Sequence, residues 1–176
     1  MKTDNPFIKS ISRIANIGLW GSLLISALTV ALHYLPVRVT MDAVTNDAEV
    51  SRRLMLFGLV VAVAVISFFL FYLRREIPRV RQKDTVDERL VKYNNIVRTV
   101  YVVTLFAIVV VCAIEILTGE STLIMLLLLM FIMLMLNYPN MYKMKSDMGL
   151  NDDEMKVLFG DQYIGGNDTK ETGNEQ

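Results

Sequence analysis

The chain has little of the equipment that chemistry usually needs: one cysteine, Cys112, and one histidine, His33, in 176 residues. A lone cysteine excludes an intrachain disulfide, and no group of Cys and His has metal-ligand spacing. No cofactor is expected. Charge is scarce as well. Asp, Glu, Lys and Arg make up 20% of the chain, 18 basic residues balance 18 acidic ones, and the formal net charge is zero. A balanced chain makes no global field that would favour nucleic acid. The H-E-x-x-H, G-x-S-x-G and phosphate-loop motifs are missing, and a single His beside a single membrane-embedded Glu does not make a nucleophile with its base. The sequence reads as non-enzymatic.

What is abundant is apolar: 53% of residues, with a mean hydropathy of +0.42. These residues fall in four blocks, 14–35, 54–73, 99–118 and 121–138, none of which contains Lys, Arg or Asp. A helix rising about 1.5 Å per residue needs about 20 residues to cross about 30 Å of hydrocarbon. The predicted fold class is therefore an all-α integral membrane protein with four transmembrane helices. The pieces between the blocks are each below the roughly 40 residues that a self-sufficient soluble domain needs. Lys2, Lys9 and Arg13 precede the first block as they would in a signal peptide, but its length exceeds an h-region, so it is expected to remain as a span.

Fifteen of the 18 Lys and Arg lie in the N-terminal piece, in the loop 74–98 or in the C-terminal tail, and only Arg38, Arg52 and Arg53 lie in the first loop. Positive residues stay on the cytoplasmic side, which places both termini there, in a multi-pass protein of a bacterial-type cell (inner) membrane. Arg74, Arg75, Arg79 and Arg81 follow the second block as a stop-transfer cluster able to contact anionic lipid head groups.

The expected organisation is a cytoplasmic N-terminus 1–13, a four-helix membrane domain 14–142 with the cytoplasmic loop 74–98, a short-helix region 143–164 and a disordered tail 165–176. Pro36 should end the first span and Pro78 should break the second helix. Thr85 and Glu88 fit a capping box, so the third helix should start at Val86 and run unbroken to Thr118, extending into the cytoplasm. Val86, Leu90, Tyr93 and Val97 then form an apolar stripe in need of a cover, with Glu88 and Lys92 as an i,i+4 pair on another face. The tail offers one: Asn151 and Glu154 frame a second capping box, Leu150 and Met155 a hydrophobic staple, and Gly160 a stop, which together specify a short amphipathic helix.

Between helices in lipid, small residues decide close approach. Gly18, Ser22 and Ser26 form such a stripe in the first span, and Gly58 with Ala62 a small pair in the second, so these two helices are the expected contact. The two-residue turn Gly119-Glu120 makes the third and fourth spans an antiparallel hairpin. Met125, Met130, Met133 and Met135 in the fourth span read as apolar filler, not as copper ligands.

Glu115 is the one acidic residue inside a block. It lies near the outer end of its helix, level with His33 and with Arg52 and Arg53, and this four-residue group is the candidate polar site. The expectation is an interfacial ion pair of Glu115 with Arg52 or Arg53. Partners are the lipid bilayer and a membrane-protein partner or a second copy of the chain. The functional expectation is an accessory or scaffold subunit, and the alternative is a small oligomeric transporter or channel using Glu115 and His33.

Overall fold

The computed structural model describes residues 5–34, 48–160 and 163. These form six helices: α1 Pro6–Tyr34, α2 Ala48–Arg81, α3 Val86–Thr118, α4 Ser121–Leu136, α5 Met141–Met148 and α6 Asp152–Phe159. Among the described residues there is no strand. α1, α2 and α3 are each long and apolar enough to cross a membrane, and α4 with α5 makes a fourth candidate only if that bent pair counts as one span. The helical membrane class thus holds. The expected stop at Pro36, most of the first loop and the expected disorder of 165–176 lie outside the described residues.

α3 is the axis of the bundle. Half of its most apolar stretch is buried, against 22% for α1 and 17% for α2, because α1 and α2 each make their main contact with α3 rather than with each other. This overturns the expected pairing of α1 with α2. The small residues do admit close neighbours, but those neighbours are side chains of α3 and α4. A Cβ on Gly18 would collide with Tyr101 Cδ1, and one on Gly58 would lie 3.3 Å from Leu123 Cδ2 and 3.4 Å from Ile114 Cδ1. Ala62 and Ser22 are fully buried, and the Ser22 hydroxyl donates to the Leu19 carbonyl at 2.8 Å. Smallness says that something approaches, not what does.

Both of the outer helices exceed their apolar blocks. α1 begins at Pro6 instead of at residue 14, started by Asn5, whose Oδ1 accepts from the Phe7 amide at 2.9 Å, with proline in the first helical position. Ile8 and Ile11 in this added segment are completely buried. α2 does not break at Pro78 but continues to Arg81. The lost backbone bond falls in the last two turns, where exposed carbonyls can be hydrated, and Arg81 secures the end by donating to the carbonyls of Ser146 at 2.8 Å and Asp147 at 3.3 Å.

α3 has the expected bounds. Thr85 caps it by accepting from the Glu88 amide at 3.3 Å, and Gly119, at φ 69°, ends it in the left-handed conformation. Glu88 does not reach back to complete the box; its carboxylate lies 4.0 Å from Lys83 Nζ. Nor does Lys92 pair with Glu88, since its ammonium sits 2.7 Å from Glu76 on α2, a buried carboxylate that holds it better than an exposed one.

The hairpin 119–120 delivers α4, whose 16 residues span only about 24 Å. The chain then bends by 78° into α5. Pro139 sits in the break, and Asn140 starts the new helix by accepting from the Lys143 amide at 2.8 Å. α5 was not anticipated. It buries Met144 and Met148, ends at Gly149 with φ 64°, and hands on to α6, where Asn151 and Glu154 form the full reciprocal capping box.

Candidate functional site

Polar groups gather at the two ends of the bundle. At the end where α1 stops and α3 turns into α4, His33 Nδ1 hydrogen-bonds Glu115 Oε1. The pair is enclosed: the Glu115 side chain is 1% exposed and that of His33 is 11% exposed. Glu115 Oε2 is buried with no hydrogen-bond partner among the described residues. One turn along α1, buried Thr29 donates to the Ile25 carbonyl at 2.9 Å, and Cys112, one turn before Glu115 on α3, is buried too.

This corrects the expected partner of Glu115. Arg53 bonds Glu49 one turn away on α2, and both are exposed, while Arg52 is exposed as well. The reason is register. Glu115 faces inward across the α1–α3 contact, whereas the first turn of α2 presents its arginines to the outside. The expected group of four is therefore split into a buried His33–Glu115 pair and an exposed Arg53–Glu49 pair.

At the other end, Glu76 on α2 is the centre of a cluster that sequence reasoning missed. It is 6% exposed and takes Lys92 Nζ at 2.7 Å and Arg79 Nη1 at 2.5 Å, with Arg75 Nε at 3.9 Å. Its signal was a single acid among four arginines. Leu90, Tyr93 and Val97 of the stripe on α3 are buried, but the tail helix that packs against α3 is α5 rather than the expected α6. Tyr93 donates to Asp147 Oδ2 at 3.1 Å, and Arg89 Nη1 approaches the Gly149 carbonyl at 3.5 Å and Glu154 at 3.8 Å.

No family model, curated protein or solved structure matches this chain.

The four arginines proposed for lipid contact separate by role. Arg79 and Arg75 face Glu76, Arg81 holds the α5 carbonyls, and Arg74 borders an open pocket at the α2–α5 junction. The methionines of α4 do not converge: Met130 is buried, whereas Met125 and Met135 are well exposed. Ser26, third in the small-residue stripe, has its hydroxyl buried without a hydrogen-bond partner among the described residues and borders an apolar groove of about 460 Å³ between α1 and α4. In the tail, Lys145 on α5 bonds Asp152 on α6, and its ammonium lies 2.7 Å from the Tyr163 hydroxyl, which also donates to Asp152. The Asp152 bond, and then that to Tyr163, raises Lys145 above its ordinary value, and the Lys145 bond, then Tyr163, holds Asp152 below its own.

Proposed function

We propose that this protein is a non-enzymatic, multi-pass subunit of a bacterial-type cell membrane assembly, with both termini cytoplasmic, that works through membrane-protein partners. The observation that carries this reading is the uneven burial of the spans. α3 is enclosed, while α1 and α2 turn long apolar faces outward, with Leu56, Val60 and Phe71 at 49%, 60% and 66% exposure on α2. Lipid satisfies such faces, and so does another helix. Photo-crosslinkers placed in cells at Leu56, Val60 and Phe71 are expected to trap one recurring membrane protein. Capture of lipid alone at all three positions overturns the reading.

A second reading is favoured by the His33–Glu115 pair: a small oligomeric transporter or channel in which that pair carries a proton. An ionisable pair enclosed between spans is a functional candidate by position. Proton flux into proteoliposomes that disappears in Glu115→Gln, with the fold retained, selects this reading over the first.

A further inference from the structure

We propose that the pocket at the junction of α2, α4 and α5 is a binding site for the phosphate of an anionic glycerophospholipid. The pocket measures about 320 Å³ and brings together Arg74 and Arg81 from α2, Asn137 from the end of α4, and Lys143 and Asp147 from α5. Three cations against one carboxylate leave a local charge of +2. Among the described residues much of that charge is uncommitted. Asp147 is shared between the Tyr93 hydroxyl at 3.1 Å and Lys143 at 3.7 Å, and Arg81 spends two donors on backbone carbonyls, leaving its third nitrogen free of those bonds. Guanidinium and ammonium groups converging on one cavity suit a phosphate, which accepts several charge-assisted hydrogen bonds at once.

The position selects a lipid as the source of that phosphate. Arg74 is the first charged residue after the apolar block 54–73, and α4 ends at the same level before the chain turns through 78° into α5. The pocket therefore lies where hydrocarbon gives way to head groups. Its wall includes Ile77, and one turn back toward the membrane on the Arg74 side Leu70 is 59% exposed, a surface for an acyl chain below a bound phosphate. Basic pockets between spans at this depth hold anionic lipid heads. The site requires only the membrane spans, so the subunit reading stands or falls separately.

The test uses the full chain in nanodiscs of phosphatidylcholine with phosphatidylglycerol, followed by release into mild detergent and native mass spectrometry. Wild type is expected to retain phosphatidylglycerol and to shed phosphatidylcholine. Arg74→Gln and Lys143→Gln should each lower the retained fraction about five-fold, the effect of one cation near the surface. Arg75→Gln, a neighbouring cation outside the pocket, should leave it unchanged. Arg74→Lys and Lys143→Arg keep the charge and should keep the lipid, which separates loss of binding from loss of fold. Equal retention of both lipids, an equal loss in Arg75→Gln, or displacement of the lipid by millimolar inorganic phosphate would each overturn the assignment, the last by making the ligand a soluble anion.

Discussion

A glycine and a buried polar pair show how much an environment adds to a residue type. The Gly18 backbone lies against the ring of Tyr101, which is itself buried and anchored through its hydroxyl to the Leu134 carbonyl at 3.3 Å. The ring cannot yield cheaply, so Gly18→Ala should destabilise by about 1–2 kcal/mol, overpacking outweighing the gain in helix propensity. Gly21, with nothing nearer to an added Cβ than Leu105 Cδ1 at 3.8 Å, makes the control: Gly21→Ala should be neutral or stabilising in the same detergent melts. A lower melting temperature for both would sink the argument from contact.

Glu115 and His33 give the second case. Glu115→Gln removes the charge but keeps an amide of the same shape that can still hydrogen-bond His33, so it should cost under about 1 kcal/mol, whereas His33→Ala strands a buried carboxyl and should cost about 1–3 kcal/mol. The double variant should melt closer to Glu115→Gln than to His33→Ala, as a coupled pair requires. Additive losses would mean that the two side chains act independently. Depth along the spans had placed these residues together, which a sequence can reveal. Which way Glu115 faces is a matter of how α3 is rotated against α1, and no single span encodes that.

At the scale of elements, the caps were the most legible features. Thr85 and Gly119 bracket α3, and Asn151, Glu154 and Gly160 bracket α6, because a cap is a bond between residues three or four apart and needs no tertiary contact. The same signals stand around α5, with Asn140 before it, Gly149 after it and Met141, Met144 and Met148 along one face. Asn151→Ala should loosen α6 by about 1 kcal/mol while leaving α1 to α4 intact, read as faster amide exchange confined to 152–159. Faster exchange across the whole bundle would show instead that α6 is integral to the membrane fold.

For the molecule as a whole, the clasp between α5 and α6 should respond to pH in a defined way. Asp152 is held below its ordinary 3.8, so its contribution is present above that value and is lost as pH falls through the lower, folded one. Lys145 is held above its ordinary 10.5, so its contribution is present below that value and is lost as pH rises through the higher one. Spin labels at Ser146 and Val157 should therefore report one narrow distance through the neutral range, broadening only at the acid and alkaline extremes. Broadening near neutrality would rule out this pair as the clasp. Orientation is a further whole-molecule property. Reporters fused after Gln176 and within 82–85 should read as cytoplasmic and one at Asn46 as external, following the distribution of Lys and Arg. An external C-terminal reporter would reverse the bundle.

Composition and local patterning were enough to establish that this chain is helical, that its apolar runs are long enough to cross a membrane, and where α3 and α6 begin and end, because helix formation and capping depend on neighbours along the chain. The tertiary structure alone decided that α3 is the buried axis, that Gly18 and Gly58 meet side chains of α3 and α4, that Lys92 leaves Glu88 for Glu76, and that Glu115 turns from the arginines to His33. The physical reason is the solvent. Lipid is as apolar as leucine, so an apolar run specifies depth in the membrane without specifying a neighbour, and the choice of neighbour falls to shape and to the few polar groups that must find partners inside.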